Sequence, residues 1–144
     1  MSHKVELSLK ETLLNQLVFL EENVTEIIGS YFSSNRNKYK EFLNTYSTEV
    51  QDFLSTTDER SESSPTKAFI GTKVVLKYED EDETDDYTIC MPENSDPDKG
   101  FISFLSPVGS QLLLRSSGEI MNLITPGGEF KVTIKAINFD PIQS

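Results

Sequence analysis

Tryptophan is absent from this 144-residue chain, and cysteine and histidine occur once each, as Cys90 and His3. A single cysteine rules out an intramolecular disulfide and argues against a cysteine-based zinc site. One histidine, close to the N-terminus, argues against histidine-dependent acid–base chemistry. No apolar run approaches the roughly 20 residues that span a bilayer. The opening Met-Ser-His-Lys-Val-Glu lacks the basic and apolar regions of a secretory signal, so a cytoplasmic protein with no membrane partner is expected. Basic residues are scarce too: 13 Lys and Arg against 24 Asp and Glu leave a net charge of −11. Phosphate backbones repel such a chain, because binding them needs cations that displace counterions. Contact with DNA or RNA is therefore expected only indirectly, through another protein. The charge suits a basic protein partner or serves solubility alone. No residue set points to a catalytic centre, a metal or a cofactor.

What is present divides the chain by periodicity. Leu13, Leu17, Leu20, Val24, Ile27 and Tyr31 follow a 4-3-4-3-4 rhythm, the heptad seam of one helix zipped along another, with Leu14, Val18 and Ile28 widening the stripe. The pattern predicts a helix from Leu7 to Tyr31. A second, from about Asn35 to Leu54, carries Tyr39, Phe42, Tyr46, Val50 and Phe53, with Leu43 and Leu54 beside them. Between them, residues 29–35 combine a helix-stopping Gly with helix-starting Ser and Asn. A short link makes long helices antiparallel neighbours, each about 30 Å long. Residues 1–56 thus read as a coiled-coil-like antiparallel hairpin whose stripes bury each other; a helical pair laid flat on the second half satisfies the same stripes. Residues 57–67 then hold Thr, Asp, Glu, Arg, Ser and Pro in a linker-like composition.

From residue 68 to 144 the pattern is strand-like. Val74–Tyr78 and Tyr87–Met91 flank an acidic run, Glu79 to Asp86, that reads as a solvated hairpin turn. Phe101–Leu105 and Ile120–Ile124 are further strands, and Phe130–Ala136 alternates apolar with polar, which predicts one buried and one wet face. Val108 to Leu114 reads as a short helix with Ser106 as N-cap and Pro107 as its first residue. Cys90, in mid-strand, reads as a buried structural thiol. The class is α+β: a helical hairpin, then a small antiparallel sheet with one short helix.

Several short motifs stand in order in this half. Ile70-Gly71-Thr72-Lys73-Val74 opens it, and Asp96 to Ser103 follows as Asp-Pro-Asp-Lys-Gly-Phe-Ile-Ser. Then come Ser106-Pro107-Val108-Gly109, Leu112-Leu113, Gly118-Glu119 and Thr125-Pro126-Gly127-Gly128. Over residues 68–138 this series resembles the C-terminal domain of the GreA/GreB transcription elongation factors, with its N-G-x-I-S, S-P-L-G, Gly-Asp and T-P-x-G stretches. The resemblance implies an FKBP-like fold. It also implies docking on bacterial RNA polymerase at the rim of the secondary channel, through the turn that here is Ser106, Pro107, Val108 and Gly109. A cap and tight turn needed for folding is a second, compatible role for those four residues.

The family's N-terminal hairpin carries two acids at its tip that help the polymerase hold a catalytic magnesium, which suits a hard cation that needs oxygen ligands. The corresponding stretch here is residues 31–39, where Tyr31, Phe32, Asn35 and Arg36 form the expected tip and no carboxylate occurs. Arg36, Lys38 and Lys40 make it basic, which repels a divalent cation. The arms are also several turns shorter than a full Gre hairpin. The resemblance therefore points to the short-hairpin branch, Rnk-like or other non-cleaving Gre homologues. Two other function classes remain open on the residues alone. One is prolyl isomerisation, by fold analogy, against which the lack of Trp argues. The other is an interaction module unrelated to transcription.

Overall fold

The computed structural model describes residues 9–22, 36–56 and 65–139. The chain divides into two compact units, Met1–Glu62 and Ser63–Ser144.

In the first unit, α1 spans Leu9–Glu22 and α2 spans Arg36–Thr56. Leu13, Leu17 and Leu20, spaced four and three apart, bury one stripe of α1, and Tyr46 and Val50 bury one stripe of α2. The Tyr46 hydroxyl donates a 2.8 Å hydrogen bond to Gln16 Oε1 and so joins the two helices. Phe42 stacks on Tyr46 with ring centroids 5.7 Å apart. Leu14 and Val18, expected to widen the buried stripe, are instead 44% and 51% exposed. Each lies one residue, and so about 100° of helix rotation, beyond a buried leucine. The seam positions Val24, Ile27 and Tyr31 lie outside the described residues.

The second unit is a five-stranded sheet in the order β3-β2-β1-β5-β4. Its strands are β1 (Thr72–Tyr78), β2 (Thr84–Cys90), β3 (Phe101–Ser103), β4 (Ile120–Thr125) and β5 (Gly128–Phe139). One short helix, α3, covers Pro107–Leu112. Val74, Leu76, Ile89, Ile102, Met121, Leu123, Val132 and Ile134 supply the buried face, joined by Phe69, Phe104 and Leu112. The six-residue α3 touches both β3 and β4, the two edges of the sheet. Five flat strands would hold their edges about 19 Å apart, whereas six helical residues are about 9 Å long. The sheet must therefore curl around the helix.

Four details differ from the sequence reading. β3 runs parallel to β2, with Ile89 opposite Ile102, so the sheet is mixed and not wholly antiparallel. Residues 91–100 allow this by returning the chain through two short 3-10 turns, Pro92–Asn94 and Pro97–Lys99. Asp85 and Asp86 belong to β2, opposite Leu76 and Val75, which leaves residues 79–83 as the turn. α3 stops at Leu112, since Leu113 is extended and Leu114 turns left-handed with φ 68°. Finally, β5 carries a bulge where Val75 faces Ala136 and Leu76 faces Ile134. The extra residue, Lys135, shifts the alternation, so that Ile137 and not Ala136 returns to the core.

Candidate functional site

The four residues Ser106–Gly109 form the N-terminal turn of α3, and the chain before them builds their support. Phe104, 2% exposed, anchors the segment that leaves β3. The Ser103 carbonyl then accepts from Ser106 N–H at 3.0 Å and from Ser106 Oγ at 2.7 Å. Ser103 Oγ accepts from Leu105 N–H at 3.0 Å. Ser106 Oγ in turn accepts from Gly109 N–H at 3.1 Å, so one serine caps the helix and ties the cap to β3. Pro107 occupies the first helical position, where a missing N–H is harmless and its φ is already set. Gly109 is buried, and a Cβ there would lie 2.1 Å from the Ser103 carbonyl oxygen. Only glycine lets the helix approach β3 so closely.

The outward side of the turn is apolar. Pro107 is exposed and Val108 half-buried. Beyond α3, Ile120 and Ile124 on β4 are 57% and 60% exposed. Gln111 connects these parts. Its Nε2 donates to the Pro107 carbonyl at 2.9 Å and to the Ile124 carbonyl at 2.7 Å, while its Oε1 accepts from Ile124 N–H at 2.9 Å. Sequence reasoning passed over Gln111; its four-residue spacing from Pro107 was the available signal.

The far end of α3 is fixed by a second network that the sequence reading also missed. Arg115 Nε donates to the Gln111 carbonyl at 2.9 Å, and its guanidinium meets Glu119 at 2.7 Å. Glu119 also accepts from Ser116 N–H at 2.9 Å. That backbone bond, followed by the Arg115 bond, holds the Glu119 carboxyl below the usual carboxylate range. The left-handed Leu114 donates its N–H to the Ala68 carbonyl at 2.7 Å, which returns the chain to the start of the unit.

The other expected features fall elsewhere. Tyr31, Phe32 and Asn35 of the expected tip lie outside the described residues, and Arg36 is the first residue of α2. The acids at 79–83 are exposed in the turn between β1 and β2. Tyr78 donates to Asp85 at 2.9 Å, and burial first, then that bond, raises its pKa. Cys90 is buried with its Sγ 3.4 Å from the Ile102 carbonyl, and burial pushes its thiol up. Among the described residues, no three or more His, Cys, Asp or Glu are grouped to hold a metal ion. No described helix is long and apolar enough to cross a membrane.

Comparison with known proteins places this geometry in context. Residues 62–139 match the family model described as "Transcription elongation factor, GreA/GreB, C-term". A transcription elongation factor GreA of Desulfovibrio desulfuricans is 41% identical over 73 residues, covering 51% of this chain and 45% of that protein. One from Chloroherpeton thalassium is 44% identical over 62 residues, covering 43% and 39%. The chain thus spans less than half the length of these curated relatives. Among solved structures, a GreA/GreB elongation factor from Nitrosomonas europaea superposes with a TM-score of 0.56 at 22% identity, covering 88% of this chain and 93% of that one. At that identity the likeness is one of fold.

Proposed function

This chain belongs to the GreA/GreB family through its C-terminal half, and from that premise we propose that it is an RNA polymerase-binding regulator of transcription elongation. It docks at the rim of the secondary channel through Ser106, Pro107, Val108 and Gly109, and it catalyses no reaction of its own. The observation that carries this reading is the turn itself. Its backbone is held by Ser106 and by the close approach of Gly109 to β3, while Pro107 stays exposed. A turn so held has little conformational entropy left to lose when a partner covers it.

The C-terminal unit takes the FKBP-like form, and α1 and α2 are the arms of an antiparallel hairpin that projects into the channel. The Tyr46–Gln16 bond and the buried leucine stripe support such a pairing. Residues 31–39 contain no Asp or Glu, so the tip offers no carboxylate to the polymerase magnesium. Docking therefore proceeds without stimulating transcript cleavage, and the protein competes with factors that do stimulate it.

The test is competition with a GreA for purified bacterial core RNA polymerase, followed by a cleavage assay on a backtracked complex. The expected result is displacement of GreA with no added cleavage, and loss of displacement in a Pro107→Asp, Val108→Asp variant. Failure to bind refutes the docking, and cleavage above the basal rate refutes the reading of the tip.

A further inference from the structure

Gln111 has no role in the docking described above, yet its side chain occupies an unusual position. β4 is an edge strand of the sheet, and among the described residues only β5 pairs with it. Gln111 bonds both the N–H and the C=O of Ile124, which therefore point away from β5. One primary amide thus serves as a strand neighbour at the outer edge of β4. The same Nε2 also donates to the Pro107 carbonyl, inside the docking turn. A six-residue helix does not sustain itself. α3 is held at one side by Gly109 and Ser106 against β3, and from beneath by Leu112, buried in the core. Gln111 is its polar attachment to the opposite edge of the curled sheet.

We infer that Gln111 is a positioning residue for the docking turn, setting the angle at which Pro107 and Val108 meet the partner by clamping α3 to Ile124. The inference rests on the proposed docking through Ser106–Gly109. An amide is required, because the clamp uses two donated bonds and one accepted bond from a single side chain. A methionine of similar length keeps the helix and loses all three.

The experiment uses the full chain and four proteins: wild type, Gln111→Met, Pro107→Asp and Val132→Ala. The last cuts a cavity in the core of β5, far from the turn in sequence, and reports what lost stability alone does. Three quantities are read: affinity for core RNA polymerase at a temperature where every protein is folded, thermal midpoint, and hydrogen exchange of the Ile124 amide. Gln111→Met is expected to weaken binding about tenfold and to speed exchange at Ile124. Val132→Ala is expected to lower the midpoint more and to leave affinity within about twofold of wild type. If Gln111→Met binds as wild type while Pro107→Asp does not, the positioning role is overturned and the docking stands. If Gln111→Met and Val132→Ala weaken binding alike, the effect is one of stability and the inference is again overturned. If Pro107→Asp binds unchanged, or wild type does not bind, the docking reading fails and takes the inference with it.

Discussion

Replacing Gly109 with alanine sets two effects of opposite sign against each other. Gly109 lies within α3, and in a free helix alanine is favoured over glycine by about 1 kcal/mol. The surroundings oppose this. A Cβ would sit 2.1 Å from the Ser103 carbonyl oxygen, 2.9 Å from Ser106 Oγ and 3.0 Å from the Ser103 carbonyl carbon. The shortest of these is over an ångström inside ordinary van der Waals contact, and it is with backbone, which has no rotamer to escape into. Relief requires α3 to lift from β3. Lifting stretches the bond from Gly109 N–H to Ser106 Oγ, and that cap is worth about 1 kcal/mol. Overpacking of this kind costs about 1–3 kcal/mol. The sum favours destabilisation by about 1–3 kcal/mol, or roughly 5–20 °C in Tm for a unit of this size. Thermal and urea unfolding of the full chain measure it, with Ser106→Ala as the reference for loss of the cap together with its bond to the Ser103 carbonyl. An alanine variant as stable as wild type, or more so, refutes the reasoning, because helix propensity would then outweigh the contact with Ser103.

Further expectations follow from individual contacts. Tyr46→Phe removes the hydroxyl bonded to Gln16 and should cost about 1 kcal/mol by urea unfolding. Glu119 has its pKa lowered on folding, so its contribution to stability is present above the unfolded pKa of about 4.3 and is lost as pH falls through the folded value. Glu119→Gln should therefore flatten an acid-side loss of stability, as measured by Tm against pH. Cys90 is buried with its thiol pushed up, so a thiol reagent at neutral pH should label it far more slowly in the folded chain than in denaturant. Ile137→Lys should destabilise severely, since Ile137 is 4% exposed, whereas Ala136→Lys should be mild; equal effects would mean that the β5 bulge is misplaced.

Much of the fold was legible because it rests on periodicity. The α+β class, the buried stripe of Leu13, Leu17 and Leu20, and the alternation through Val132 and Ile134 all follow from side chains repeating at a helical or strand interval. The family resemblance was legible for another reason. Its motifs mark positions where one residue type is needed, as with Gly109 against Ser103 and Ser106 at the cap. Features created by tertiary contact were not legible. The short return from β2 to a parallel β3 depends on Asp96 bridging to Phe101. The early end of α3 depends on Leu114 donating to Ala68, far away in sequence. The bulge at Lys135 is invisible to alternation, because the inserted residue is an ordinary polar one and the break shows only when β1 lies alongside.

The same distinction separates the parts of the proposed docking site. Ser106, Pro107, Val108 and Gly109 act on one another within a few residues, so their pattern survives in the linear sequence. Gln111 acts across thirteen residues on a strand edge whose position depends on the order of the whole sheet, and a solitary glutamine on a helix carries no mark of that. Arg115 and Glu119 are intermediate. Their i, i+4 spacing is that of a helical ion pair, but helix α3 has ended by then, and the pair closes a turn instead. Short-range motifs therefore identify which surface is built, while the sheet topology determines how it is aimed. That is why the stringent experiment on the proposed docking turn perturbs Gln111 as well as the residues the turn exposes.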